Sequence, residues 1–168
     1  MSRLVLSAPA LLLLAGLAGL WTWVAGSRGF FPLDQSIVLD GAWRVHSGQI
    51  PFVDFSAAHG LSAYWLQALV FGVFGVSFSS LLLGATLLNA AAAILAVLAL
   101  GRVLPRSPAL AWIAGILTAL WFQPPFGTPY PEQTAFFFCL LGLVLLLPPA
   151  VRRPRGRLVQ VASAGVCL

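Results

Sequence analysis

The sequence predicts an all-α polytopic membrane protein: about four transmembrane helices plus a truncated fifth, with interfacial helices in the first outer loop. Three observations predict it. Sixty per cent of residues are hydrophobic and 8% are charged, against roughly a quarter charged in soluble domains, so the chain lacks the polar surface to cover a water-soluble globule. The apolar residues fall in runs close to the ~20 residues that a spanning helix needs. The charges are segregated: the four acids Asp34, Asp40, Asp54 and Glu132 lie in two polar breaks, and seven of nine arginines lie in the others.

The first run covers residues 4–25 and ends in Trp21 and Trp23, suitable interfacial anchors. It reads as a retained span, because it exceeds the roughly 7–15 residues of a signal-peptide apolar region. The second covers 79–100. The third, 108–122, is stopped by Pro124 and Pro125, and the fourth, 134–147, is closed by Pro148 and Pro149. A fifth apolar stretch covers 158–168, about half the length of a span, so the sequence reads as the N-terminal piece of a longer protein. The whole of 1–168 is one transmembrane domain fragment on this reading. Gly16, Gly19, Gly84 and Gly101 in the apolar runs allow close helix packing. Cys139 and Cys167 read as small buried hydrophobes rather than a disulfide.

Orientation follows from the arginines, since short arginine-rich loops stay in the cytoplasm. Arg3, Arg102, Arg106 and the cluster Arg152, Arg153, Arg155 and Arg157 all become cytoplasmic if the N-terminus is inside; Arg28 and Arg44 dissent. Residues 26–78 and 123–133 then form two outer loops. The net charge of +5 does not imply nucleic acid, which needs basic residues clustered with aromatics on one face; here they sit in short connectors beside lipid.

The long outer loop has its own order. Apolar residues recur at near-helical spacing from Asp34 to Val45. Asp34, Ile37, Val38 and Gly41 share one face, Asp34 opens the helix where an acid caps it and complements its dipole, and Asp40 and Arg44 pair four residues apart. This predicts a helix at the membrane interface. Ser47-Gly48-Gln49 is a turn, and residues 50–55 are extended because Pro51 forbids helix. Residues 61–74, with Tyr64, Trp65, Gln67, Phe71 and Phe74, form a second interfacial helix. Reading it as a span instead would put most later arginines outside.

The order of a span, an outer helix opening on Asp34, a Gly-x-x-Pro-aromatic-x-Asp-Phe stretch (Gly48, Pro51, Phe52, Asp54, Phe55), His59, an aromatic helix ending Phe74-Gly75 and a span closing on Leu100-Gly101-Arg102 resembles a known pattern. It is similar to the start of the polytopic glycosyltransferases of the GT-C fold, those like the protein O-mannosyltransferases and the aminoarabinose lipid A transferases. The resemblance covers most of the chain, most tightly residues 31–102. It implies transfer of a sugar from a polyprenyl-phosphate donor to a lipid, glycan or protein acceptor on the outer face, in a multi-pass protein of the cell membrane (the bacterial inner membrane) with membrane lipid as partner. It also implies that Asp34 acts at the reaction centre, that Glu132 matches a second acid near the fourth span, and that His59 matches a position near the donor phosphate. The chain departs from the pattern at Gln35, where the family's second acid stands.

Residue chemistry gives each position a role. An acceptor hydroxyl needs a carboxylate within hydrogen-bond reach to take its proton, and Asp34 is the catalytic candidate. Asp54, His59 and Glu132 are candidates for donor or substrate binding, against which stand turn orientation for Asp54, a structural loop histidine for His59 and helix-dipole complementation for Glu132. No cofactor is expected, and no tight ligand spacing among Asp34, Asp54, His46 and His59 supports a metal. A non-catalytic truncated scaffold is the alternative, favoured by Gln35; a transporter ranks lower, since the spans carry no ionisable residue where transporters place them.

Overall fold

A computed structural model describes residues 7–30, 32–58, 60–123, 127 and 130–147. Among the described residues the fold is all-helical, with six helices: α1 Ala8–Gly26, α2 Pro32–His46, α3 Leu61–Phe74, α4 Phe78–Val103, α5 Pro108–Trp121 and α6 Pro131–Leu146. The predicted fifth apolar stretch, 158–168, lies outside the described residues.

Two helices, α1 and α4, are long and apolar enough to cross a membrane. The 19 residues of α1 and the 26 of α4 extend about 28 and 39 Å at a rise of about 1.5 Å per residue, against a hydrocarbon core of about 30 Å. The 14 residues of α5 and 16 of α6 reach only about 21 and 24 Å on the same arithmetic. Of the four expected spans, two are thus long enough to cross and two are shorter apolar helices.

The alanine-rich α4 is the hub. It packs against α1, α3, α5 and α6, and Ala85, Ala92, Ala93 and Val97 are fully buried. Ala93 meets Leu14 and Ala18 of α1 and Ala111 and Ala119 of α5, and Gln67 of α3 lies against Gly84. Small side chains let the backbones approach, which is how packing holds apolar helices together where no hydrophobic drive exists. Gly19 sits against Thr86, and Gly115 against Val97 and Leu14, while Gly16 faces open space rather than a helix.

At the centre of α4, Asn89 ties three helices. Its Nδ2 donates to Ala18 O at 3.2 Å and Thr22 Oγ1 at 2.6 Å on α1, and to Ala119 O at 2.9 Å on α5. These contacts fix direction. Ala18 and Ala119 both meet Asn89, and Trp21 Nε1 donates to Leu120 O at 3.2 Å, so α1 and α5 run one way. The helix α4 runs the other way, and α6 follows it, since Arg102 at the end of α4 donates to Leu147 O just past α6 at 3.3 Å. One end of the bundle thus carries Gly26, Phe78, Trp121 and Pro131; the opposite end carries Arg102.

Between α1 and α4 the chain makes an excursion at the first of these ends. α2 and α3 pack together through Val45, Tyr64 and Ala68, and Gly41 is required because the Tyr64 ring occupies the place of any Cβ there. The predicted turn at Gly48 has φ +89°, a conformation glycine adopts without steric cost, and Gln49 N donates to Arg44 O at 3.0 Å. Residues 50–55 are not extended, contrary to the sequence expectation. Phe52 N donates to Phe55 O at 2.9 Å, Ile50 N donates to Asp54 Oδ2 at 2.7 Å, and Phe52 takes φ +66°. Pro51 blocks helix but not a closed loop, and the Asp54 carboxylate closes it. Cys139, expected to be buried, is exposed, because α6 meets its neighbours along one side only.

Candidate functional site

The helix α2 begins at Pro32, whose fixed φ suits a first helical turn. Asp34 therefore lies inside that turn, complementing the dipole, and is half-buried. Behind it, Gln35, Val38, Gly41, Ala42 and Val45 form the buried face. Gln35 is fully buried, so a neutral amide occupies a place where an ionised carboxylate would need a compensating cation.

Asp34 meets a residue 96 positions away: Tyr130 Oη donates to Asp34 Oδ2 at 3.0 Å. Tyr130 immediately precedes α6 and accepts at its carbonyl from Thr134 N at 3.0 Å and Thr134 Oγ1 at 3.1 Å. Those two bonds fix the Tyr130 backbone to the first turn of α6. Glu132 lies in the same turn, exposed, where its charge complements the helix N-terminus. The Tyr130 phenol is pushed up to about 12, first by burial, then by its hydrogen bond to Asp34 and by the charges of Asp34 and Glu132. Each effect disfavours a tyrosinate, so Tyr130 is a proton donor across the physiological range.

The structure thus brings Asp34 to Tyr130, two residues before Glu132, from a segment that the sequence separates. Asp54 is exposed and holds its own loop through Ile50 N; among the described residues its hydrogen bond is local, and it does not join this cluster. His59 lies outside the described residues. Asp40 pairs with Arg44 at 2.7 Å, as the four-residue spacing predicted, and the same guanidinium lies 5.5 Å from the Phe55 ring centroid. Tyr130 itself was missed. The signal available was a lone tyrosine between Pro129 and Pro131, beside Glu132, in a chain with two tyrosines.

A cavity of about 200 Å³ opens between α3, α4 and α6, lined by Leu66, Gln67, Gly84, Leu88, Thr134 and Phe137 among others. Its α6 wall starts at Thr134, one turn from Tyr130. Gln67 Nε2 donates to Ser80 O at 3.0 Å, and its buried Oε1 has no hydrogen-bond partner. Chemically, the arrangement offers one carboxylate held by a phenol, an exposed acid two residues along the chain from that phenol, and an apolar cavity whose α6 wall begins at Thr134.

Comparison of the chain with protein-family models, with curated proteins and with solved structures returns no match.

Proposed function

We propose that the chain is the N-terminal part of a multi-pass membrane glycosyltransferase that moves a sugar from a polyprenyl-phosphate donor to an acceptor hydroxyl on the outer face, with the N-terminus cytoplasmic. One observation carries the reading. Asp34 of one polar segment accepts from Tyr130 of the other, two residues before Glu132, at the end of the bundle opposite Arg102. The apolar cavity whose α6 wall begins at Thr134, one turn from Tyr130, supports a substrate with a hydrocarbon tail.

In the reaction, Asp34 takes the proton of the acceptor hydroxyl. The acceptor oxygen forms a bond to the anomeric carbon as the bond from that carbon to the phosphate oxygen breaks. The bonding pair leaves with the polyprenyl phosphate, which needs no protonation because it departs as a stable anion. Asp34→Asn, which keeps size but not basicity, abolishes transfer at unchanged protein level in membranes. Transfer at the wild-type rate in that variant would sink the proposal.

The second reading, a non-catalytic protein on the same scaffold, is favoured by one feature: the buried amide of Gln35 at the position of the family's second acid. Donor turnover by the full-length gene product separates the two.

A further inference from the structure

Within the transfer reading, on which this inference rests, we propose that Tyr130 is the positioning residue of the reaction centre: its phenol fixes the Asp34 carboxylate so that one oxygen faces the acceptor hydroxyl. The hydrogen bond occupies Oδ2, which assigns the acceptor proton to Oδ1. A carboxylate in the first turn of a surface helix otherwise rotates freely about its terminal torsion, and the dipole of α2 sets its charge preference but not its direction. The phenol is itself held. Its residue is flanked by two prolines, its carbonyl takes two bonds from Thr134, and it is partly buried. The groups that face it are Asp34 of α2 and Glu132 of α6, both acids. Burial first, then the hydrogen bond to Asp34 and these two charges, keep the phenol protonated, and hence a donor, across the physiological range. The bond also joins the excursion to α6, so the reaction centre is assembled only when both polar segments are in place.

The test uses the full-length protein in detergent. The absorbance difference between wild type and Tyr130→Phe isolates the ionisation of this one phenol. The same difference taken in an Asp34→Asn background has a lower midpoint, moving from about 12 part of the way towards 10, since burial is the larger cause and survives the substitution. An unchanged midpoint overturns the proposal, because the two groups then do not meet.

Turnover is followed with a short polyprenyl phosphate carrying a radiolabelled sugar, and a membrane lipid extract as acceptor. Tyr130→Phe lowers kcat by about tenfold to a hundredfold, the change expected for one lost hydrogen bond to a charged group, with KM for the donor unchanged. Tyr130→His, which restores an N–H donor, recovers part of the rate. An unchanged kcat in Tyr130→Phe, or a loss expressed only in KM, overturns the role of Tyr130 while leaving the transfer reading intact. A wild-type protein that turns over no donor overturns the transfer reading, and the role with it, even where the titration shows the two groups in contact.

Discussion

Two neighbouring residues at the start of α2 divide the labour. Asp34 is half-buried and faces Tyr130, whereas Gln35 is fully buried on the packed side of the helix. A 100° step between consecutive helical residues makes this separation unavoidable, so a carboxylate at 35 would be desolvated while one at 34 is not. Gln35→Glu should therefore destabilise the protein at neutral pH, by about 1–3 kcal/mol for a buried group left without its partner. It should recover as the pH falls and the new carboxyl is protonated. A pH series of thermal melts in detergent checks this, and a variant whose melting point is independent of pH would show that position 35 has a cation within reach. The sequence displayed the substitution, but not that it faces inward.

Among the elements, α4 carries most of the architecture through Asn89. An asparagine surrounded by alanine and leucine gives little sequence signal, and its role emerges only when α1 and α5 present Ala18, Thr22 and Ala119 to it. Replacing Asn89 with Leu and Thr22 with Val, singly and together, should reveal a coupling of about 0.5–2 kcal/mol, the range found for hydrogen bonds between membrane helices. Unfolding in mixed micelles measures it, and strict additivity would remove Asn89 from the role of clamp. Helix boundaries were largely legible: prolines and glycines punctuate α2, α3, α5 and α6 within a few residues of where they begin and end. The loop at residues 50–55 was not, because Asp54 closes it by accepting from a backbone four positions earlier, and a contact of that kind leaves no periodicity to read.

For the whole molecule, the helix directions decide what charge segregation can mean. Since α1 and α5 oppose α4 and α6, and α2 with α3 returns to the end it left, Asp34 and Glu132 share one end while Arg102 occupies the other. The topology proposed above then makes a direct prediction. In a background lacking Cys139 and Cys167, Ser56→Cys is labelled in intact cells by a membrane-impermeant maleimide, and Arg106→Cys only after permeabilisation. Equal labelling of the two would refute the arrangement.

The sequence by itself determined the helical class and the segregation of acids from arginines, because composition, hydrophobic run length and charge placement are local properties of the chain; the candidacy of Asp34 is what the family resemblance implies. The tertiary structure decided which acids meet. Asp34 and Tyr130 are 96 residues apart, and only the antiparallel packing of α1, α4, α5 and α6 around small side chains sets their two segments side by side. The same packing left Asp54 in its own loop and buried Gln35, since a residue's neighbours across space depend on helix direction and face, neither of which a single stretch of sequence records.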